Sequence, residues 1–306
     1  MSIPASMVKP WCVQELRLRT PDGPLAALDS RPEGEPSGTA VLVPGFTGSK
    51  EDFLPLLAPL AVGGIRVVCY DQRGQFESPG LPAPARAIGP YGRPAGPIGA
   101  PRPTGYSLAG YAADLWHVLA QVADLSGGGP VHVLGHSFGG MVLRDALLQY
   151  SGDRPTLASV AFLGTGPARI GGNSAARTRV LLGISRFLTL AQIQRIIPAD
   201  RHPDPDVAAF LLARWLGNDR ASIRAMAQAL LAEPDRTGQL ADRLRQWALP
   251  TLVACGEAET TWPTEQQREM SRRLGAAFVG FPGIGHSPNT DAPDLLAAAL
   301  LDFWLP

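Results

Sequence analysis

The 306-residue chain contains only three cysteines, Cys12, Cys69 and Cys255, and they are far apart in the sequence. Three scattered thiols do not form the disulfide framework of a small secreted protein, and no Cys-X-X-Cys pair is present to indicate a redox or metal site. We therefore expect Cys69 and Cys255 to be buried as small apolar side chains in strands.

An excess of charge and a long apolar run are also missing. The 27 basic and 27 acidic residues give a formal net charge of +0, so bulk charge attracts neither nucleic acid nor anionic lipid. The apolar run Leu295–Leu301 is too short to span a membrane, which predicts a helix that packs on the core. Residues Met1–Glu15 lack the apolar run of a secretory signal. We expect a cytoplasmic protein that binds neither nucleic acid nor membranes.

What the chain does contain is an alternation of strand-like and helix-like segments. An antiparallel pair at Val13–Arg19 and Leu25–Asp29 is predicted first. Strands are predicted next at Thr39–Val43, Ile65–Tyr70, Val131–Leu134, Ser159–Leu163, Thr251–Cys255 and Ala277–Phe281. Helices are predicted at Phe53–Val62, Asp114–Ala123, Glu265–Leu274 and Asp291–Phe303. This order predicts an α/β fold with a doubly wound, mostly parallel sheet and helices on both faces.

Two segments interrupt the alternation. Residues 79–105 are rich in proline, glycine and alanine and show no helical or strand period, which predicts a loop inserted in the core. Residues 168–246 are helical in pattern, with helices predicted from the Asp204-Pro205 cap to Leu216, at Ala221–Leu231 and at Gln239–Trp247. We expect a core of residues 1–167 and 247–306, and an inserted helical lid at 168–246.

The most informative motif is Gly-X-Ser-X-Gly within Val131–Gly140, which reads Val-His-Val-Leu-Gly-His-Ser-Phe-Gly-Gly. An apolar strand precedes it and a helix-like stretch, Met141–Tyr150, follows it. When a strand turns abruptly into a helix, the backbone leaves little space for a side chain two positions before and two positions after the serine. Glycine is needed at these two positions. This context predicts that Ser137 is a nucleophile exposed on a sharp elbow.

A serine hydroxyl needs a base to accept its proton as it attacks. His286 lies in Phe281-Pro-Gly-Ile-Gly-His-Ser-Pro, a glycine-rich loop just after a predicted strand, where α/β sheets carry their functional side chains. We therefore expect His286 to be the base. Structural roles are expected for the other four histidines, His117, His132, His136 and His202.

The base needs a carboxylate partner that holds its tautomer and stabilises its charge. Glu257 and Glu259 both lie in the loop after the predicted strand Thr251–Cys255. Either gives the order serine, acid, histidine that is typical of an elbow nucleophile. Local spacing does not separate the two glutamates.

Backbone N–H groups are expected to stabilise the oxyanion that forms on attack. One belongs to Phe138, the residue after the nucleophile. The other is expected from Phe46, because Gly45 lets that loop approach the substrate closely. Asp71 and Arg73, which follow the next strand, are expected to form a structural turn network rather than a charged site.

Taken together, these motifs resemble those of the α/β-hydrolase superfamily. The resemblance covers nearly the whole chain apart from 79–105 and the variable lid. In chain order it rests on the oxyanion loop Val43-Pro-Gly-Phe-Thr-Gly-Ser, the turn Asp71-Gln-Arg-Gly, the elbow Gly135–Gly139, the acid loop Gly256-Glu-Ala-Glu and the Gly285-His286 loop.

The resemblance implies that Ser137 is the nucleophile, His286 the base, and Phe46 and Phe138 the oxyanion donors. The aspartate of the family's Gly-X-X-Asp motif falls on Glu259, which the resemblance favours over Glu257. Glutamate there is one methylene longer than aspartate. A second departure is Pro44, which stands where the family often has a histidine that braces the oxyanion loop.

A serine at the elbow argues against the dehalogenase and epoxide hydrolase branches, which use aspartate there. The resemblance implies a serine hydrolase that needs no cofactor or metal and cleaves a carboxylic ester or related acyl bond of a small molecule. Thioester, lactone and amide cleavage, perhydrolysis or acyl transfer, and carbon–carbon cleavage use similar intermediates. A ligand-binding protein without activity is the alternative from another class, and the sequence leaves the oligomeric state open.

Overall fold

The computed structural model describes residues 2–80, 105–152, 155–197 and 202–305. Its strands form one eight-stranded sheet. They are β1 (Val13–Thr20), β2 (Gly23–Ser30), β3 (Gly38–Val43), β4 (Ile65–Tyr70), β5 (Val131–His136), β6 (Leu157–Leu163), β7 (Thr251–Gly256) and β8 (Ala277–Phe281). The spatial order is β1-β2-β4-β3-β5-β6-β7-β8. β2 is antiparallel to both β1 and β4, and the remaining neighbours are parallel.

Helices cover both faces of this sheet. They are α1 (Leu54–Val62), α2 (Leu108–Leu125), α3 (Phe138–Gln149), α4 (Gly172–Ile184), α5 (Leu190–Ile196), α6 (Pro205–Gly217), α7 (Arg220–Ala232), α8 (Thr237–Trp247), α9 (Thr264–Leu274), α10 (Pro288–Asp291) and α11 (Pro293–Trp304). One face packs against α1 and α11, and the other against α2, α3, α8 and α9. The predicted α/β class with a doubly wound, mostly parallel sheet is confirmed.

The central strands are apolar along their length because both of their faces are covered. Every residue of β4, β5 and β7 is buried. The parallel strands β3, β5, β6, β7 and β8 run in one direction, so the loops after them meet at one edge of the sheet. That edge carries the candidate site.

Element boundaries differ from the prediction where local hydrogen bonds set them. α2 begins at Leu108 instead of Asp114, because the Ser107 side chain caps it by accepting the Gly110 N–H at 3.1 Å. The helix predicted at Phe53–Val62 is preceded by a 3₁₀ turn, Lys50–Phe53. β5 extends two residues further than predicted, to His136, which brings the strand directly to the elbow.

Between β6 and β7, the described residues form five helices, α4 to α8. α6 begins after Asp204, whose side chain accepts the Asp206 N–H at 2.8 Å, as the Asp-Pro pair predicts. α7 and α8 match the other two predicted helices, whereas α4 and α5 were not assigned from the sequence. α8 packs with α3 and α9 on the sheet. Of the predicted 79–105 insertion, residues 81–104 lie outside the described residues.

The scarce residue types behave as expected. Cys12, Cys69 and Cys255 are all buried and none forms a disulfide. Among the described residues, no helix is both long enough and apolar enough to cross a membrane.

Candidate active site

Ser137 lies between β5 and α3 in a strained backbone conformation. Its φ of 54° and ψ of −118° fall in a region that non-glycine residues rarely adopt. A Cβ on Gly139 would lie 2.2 Å from the Val43 carbonyl oxygen, and one on Gly135 would lie 2.5 Å from the Gly139 carbonyl oxygen. Only glycine fits at either position, so the motif's glycines create the sharp turn that presents the serine.

His286 reaches Ser137 from the loop after β8. The Ser137 hydroxyl and His286 Nε2 are 3.0 Å apart, and His286 Nδ1 is hydrogen-bonded to Glu259 Oε2. Because a carboxylate only accepts, Nδ1 carries the proton and Nε2 is free to accept the serine hydroxyl proton. The three side chains form a continuous hydrogen-bonded chain from nucleophile to acid.

The two glutamates of the acid loop have different surroundings. Glu259 is buried at 6% exposure, and its second carboxylate oxygen accepts the Thr261 N–H at 2.5 Å. Glu257 is exposed and lies over Gly280 on β8. The structure therefore places Glu259, and not Glu257, against His286.

The two expected oxyanion donors lie on either side of Ser137. Phe138 is the first residue of α3, so its N–H has no acceptor within the helix. The loop after β3 approaches from the other side, since a Cβ on Gly45 would lie 3.1 Å from Ser137 Cβ. Phe46 follows Gly45 and lines the same cavity as Ser137. The two backbones flank the serine, as an oxyanion hole requires.

Two glutamines that sequence reasoning missed hold this loop in place. Gln75 Nε2 donates to the Gly45 carbonyl at 2.8 Å, and Gln72 Nε2 donates to the Pro44 carbonyl at 2.9 Å. Both side chains are buried in the turn after β4. They brace the loop from below, so it does not depend on a side chain at position 44. Gln72 is the second residue of the Asp-X-Arg-Gly turn and Gln75 follows the turn directly, and neither position carries a motif that signals this role.

Asp71 and Arg73 form the buried turn network that the sequence predicts. Asp71 Oδ1 accepts the Lys50 N–H at 2.7 Å, and its other oxygen accepts the Glu77 N–H at 3.1 Å. Arg73 is paired with Asp114 on α2. Burial and the nearby Glu51 carboxylate raise the pKa of Asp71 to about 7. These groups lie behind the oxyanion loop and do not line the cavity.

His136, beside the nucleophile, has a supporting position. Its Nε2–H donates to the His286 carbonyl at 3.0 Å, which holds the loop that carries the base. Burial, together with the nearby His286, lowers the pKa of His136 to about 3, so the ring is neutral at physiological pH. His132 bonds Ser159, His202 accepts the Asp204 N–H, and His117 is exposed on α2.

A cavity of about 280 Å³ opens in front of Ser137 and His286. It is lined by residues of the loops at the sheet edge and by residues of α4, α6 and α7. Apolar side chains line part of its wall, namely Phe46, Ile170, Leu181, Trp215 and Leu230. The volume is suited to a small molecule.

Comparison with known proteins places this fold and site in a family. The model of the family described as "Alpha/beta hydrolase family" matches residues 40–299, most of the chain. The chain belongs to the alpha/beta hydrolase family. The predicted membership of the α/β-hydrolase superfamily is confirmed, and the matched range includes Phe46, the elbow and the loops that carry Glu259 and His286.

Similar proteins carry several activities in their names. A Shigella flexneri protein named "Putative carbamate hydrolase RutD" is 28% identical over 284 residues, which cover 89% of this chain and 93% of that protein. An esterase from Exiguobacterium antarcticum aligns in structure with a TM-score of 0.69 and 18% identity, covering 96% of this chain and 100% of the esterase. An enol-lactonase from Burkholderia xenovorans aligns with a TM-score of 0.67 and 18% identity, and the alignment covers 95% of this chain and 100% of the enol-lactonase. The structural matches establish the fold.

Proposed function

We propose that this α/β-hydrolase is a serine hydrolase that cleaves a carboxylic ester or related acyl bond of a small molecule. One observation carries the proposal, namely the hydrogen-bonded chain from Ser137 through His286 to Glu259 at the mouth of a cavity. Family membership and the hydrolase names of the relatives support hydrolytic chemistry. A nucleophile, an oriented base and an acid are the groups that acyl transfer to serine requires.

In the acylation step, Ser137 Oγ attacks the carbonyl carbon while His286 Nε2 takes the hydroxyl proton. The negative charge that develops on the carbonyl oxygen is stabilised by the N–H groups of Phe46 and Phe138. Glu259 stabilises the imidazolium that forms on His286. The bond to the leaving group then breaks, the leaving group takes the proton from Nε2, and the acyl group remains on Ser137.

Deacylation repeats these steps with water as the nucleophile. His286 takes a proton from the water as its oxygen attacks the acyl carbon, and the same two N–H groups stabilise the second oxyanion. Collapse breaks the bond to Ser137 Oγ, which recovers its proton from His286 and releases the carboxylic acid. No cofactor or metal takes part in this cycle as proposed.

We propose further that α4, α6 and α7 serve as a lid over the cavity. Each contributes side chains to its wall, Arg177 and Leu181 from α4, Trp215 from α6 and Leu230 from α7. The apolar members of this set favour an apolar portion of the substrate beside the scissile bond. The carbamate and lactone names of similar proteins add those two bond types to the substrates worth assaying.

The proposal is tested by the Ser137→Ala variant. We expect the wild-type protein to hydrolyse p-nitrophenyl butyrate and the variant to lose at least about 10³-fold in kcat, because no other group on the elbow attacks the carbonyl. Circular dichroism and the melting temperature of the variant serve as the folding control. Hydrolysis at the wild-type rate by a folded variant would overturn the assignment.

Labelling of the wild-type protein with a fluorophosphonate separates an enzyme from a ligand-binding protein. An activated Ser137 forms a covalent bond to the phosphorus and displaces fluoride, whereas Ser137→Ala does not react. Mass spectrometry locates the adduct. A wild-type protein that resists the probe and hydrolyses none of the esters, lactones or carbamates would support binding without catalysis.

A further inference from the structure

The cavity contains one cation that the reaction described above does not use. Arg177 on α4 lines the same cavity as Ser137 and His286. Within the part of the chain that the structure describes, its guanidinium forms no ion pair or hydrogen bond. An arginine keeps its charge at any physiological pH and presents five N–H donors in a planar fork.

The other titratable side chains of the cavity wall already have protein partners. Asp52 is paired with Arg214, whose Nη1 lies 2.5 Å from its Oδ1. His286 is hydrogen-bonded to Glu259. Among the described residues of the cavity wall, Arg177 is thus a charged side chain without a protein partner, and its charge is available to a ligand.

The surroundings of Arg177 are polar on one side. Ser174, Arg177, Thr178 and Leu181 follow the i, i+3, i+4, i+7 spacing, so one face of α4 borders the cavity. Ser174 donates to Thr261, which also lines the cavity, at 3.4 Å. Hydroxyl side chains therefore line the cavity together with Arg177, and the apolar residues named above line the rest of it.

We propose that Arg177 binds a carboxylate of the substrate, and that the enzyme acts on acyl compounds that carry a negative charge away from the scissile bond. The inference rests on the proposed hydrolase activity and adds a substrate class to it. The guanidinium fork pairs with both oxygens of a carboxylate. The apolar wall accommodates the carbon chain between the carboxylate and the reacting carbonyl. Hydrolysis then releases a dicarboxylic acid and a neutral alcohol.

The test compares charged and neutral esters of equal chain length. Monomethyl succinate, glutarate and adipate are assayed beside methyl butyrate, valerate and hexanoate, with acid release followed in a pH-stat. We expect kcat/KM for at least one half-ester to exceed that of its neutral counterpart about tenfold or more. O-acetyl glycolate carries the charge on the alcohol side and should show no such preference over ethyl acetate, and a preference confined to this pair would overturn the assignment of the charge to the acyl side. Because Arg177 is exposed to solvent, 0.5 M NaCl should reduce the preference.

Variants on α4 connect the preference to this side chain. Arg177→Ala should lower kcat/KM for the preferred half-ester about tenfold and leave the neutral ester within about twofold, and Arg177→Lys should recover part of the loss. Arg179→Ala is the matched control, since Arg179 is exposed on the same helix and does not line the cavity. An equal loss on both esters, or no charge preference in the wild-type protein, would overturn the proposal.

A binding measurement keeps this inference separate from the proposed activity. Glutarate and adipate are titrated calorimetrically into Ser137→Ala, which retains Arg177 but lacks the nucleophile. We expect the variant to bind one of them, and Ser137→Ala/Arg177→Ala to bind it at least about tenfold more weakly. If wild-type protein cleaves methyl valerate but no diacid binds, only the substrate class is wrong. If diacids bind but no ester is cleaved and no fluorophosphonate reacts, the hydrolase proposal is wrong.

Discussion

At the scale of single residues, the acid loop shows how burial separates two glutamates that the spacing leaves equivalent. Glu259 is buried and accepts hydrogen bonds from both His286 and the Thr261 backbone, while Glu257 points into solvent over Gly280. A carboxylate orients an imidazole only when its own position is fixed. The extra methylene relative to aspartate is accommodated because the Thr261 N–H holds the far oxygen.

This difference predicts unequal effects of removing the two charges. Glu259→Gln keeps the size of the side chain but loses the charge that stabilises the imidazolium, so kcat for p-nitrophenyl butyrate should fall about 10²- to 10⁴-fold. Glu257→Gln should change kcat less than about twofold. Steady-state kinetics of the two variants decides the point, and a larger loss for Glu257→Gln would reassign the acid.

Candidate site residues could be predicted from the sequence when they lie in a short motif, and could not be predicted when their role depends on contacts with distant parts of the chain. Ser137 and His286 lie in short glycine-containing motifs whose backbone requirements are visible in the sequence. Gln72 and Gln75 have no such signal, because their partners are carbonyl groups about 30 positions away in the chain. The sequence gives no signal for Arg177 either. The packing of α4 decides which face of the helix borders the cavity, and this packing is not visible in the sequence.

At the scale of elements, α6 is tied to the oxyanion side of the site by a buried ion pair. Arg214 is fully buried and pairs with Asp52 in the 3₁₀ turn that follows the Phe46 loop. Its other nitrogen donates to the Ser2 carbonyl at 3.1 Å. Burial raises the pKa of Asp52 to about 6 even with the arginine beside it. The pair therefore fixes the distance between α6 and the sheet edge.

Removing the arginine should destabilise the protein in a pH-dependent way. We expect Arg214→Met to lower the free energy of unfolding by about 3 kcal/mol at pH 8, because an unpaired buried carboxylate remains. Without the arginine the pKa of Asp52 rises further, so the folded variant binds a proton that the unfolded chain does not. The loss in the free energy of unfolding of Arg214→Met, relative to the wild type, should therefore become smaller as the pH falls from 8 to 5.5. Urea denaturation at both pH values measures it.

A surface pair provides the control for this variant. Arg245 and Asp242 on α8 form an ion pair whose side chains are 72% and 74% exposed. Arg245→Met should change the free energy of unfolding by less than about 0.5 kcal/mol at either pH. If Arg214→Met were equally mild at pH 8, the buried pair would not hold α6 in place.

The sequence predicted the helices of this region that have a clear capping residue or apolar period, and it did not predict the two helices whose formation depends on tertiary packing. The start of α6 follows from Asp204 and Pro205, and α7 and α8 lie within two residues of their predicted bounds. α4 carries no clear apolar stripe, since Ala175 and Thr178 are its only buried residues. α5 has seven residues, too few for a helical period to stand out. Tertiary contacts fix both of these helices.

At the scale of the whole molecule, the site is assembled from loops at one edge of the parallel sheet. The loops after β3, β4, β5, β7 and β8 carry, in this order, the proposed oxyanion donor Phe46, the glutamines that brace its loop, and the proposed nucleophile, acid and base. The order of the motifs along the chain and the alternation of strands and helices were enough to predict this arrangement. The cavity wall was not predictable, because α4, α6 and α7 reach it through packing over long sequence separations.

The sheet also contains a buried histidine that links the stability of the fold to pH. His132 on β5 bonds the Ser159 hydroxyl on β6 at 2.8 Å and stacks on Trp304 of α11, with ring centroids 5.3 Å apart. Burial lowers the pKa of His132 to about 4. The unfolded chain binds this proton more readily than the folded one, so its contribution to stability is present above about pH 6.5 and is lost as the pH falls towards 4.

The His132→Asn variant isolates this effect. Asparagine keeps a polar partner for Ser159 but does not titrate, so the stability difference between wild type and variant should narrow by about 1 kcal/mol from pH 7 to pH 5. Chemical denaturation at the two pH values gives the difference, and the titration of other buried groups cancels in it. A constant difference would show that the pKa of His132 is the same in the folded and unfolded chains, which would contradict the prediction.

The long segment between β6 and β7, which carries α4 to α8, has a consequence for the order in which the sheet is completed during synthesis. These two strands are neighbours in the sheet, yet Leu163 and Thr251 lie about 90 positions apart in the chain. At about 5 to 20 residues per second, a ribosome needs roughly 5 to 20 s to cover that distance. During this interval β6 has no β7 beside it and forms an edge of the growing sheet, and Ser137 lacks the hydrogen-bonded partners His286 and Glu259 of the finished fold. Because an unpaired edge can pair with other chains, the sheet is open to intermolecular contacts until β7 is synthesised.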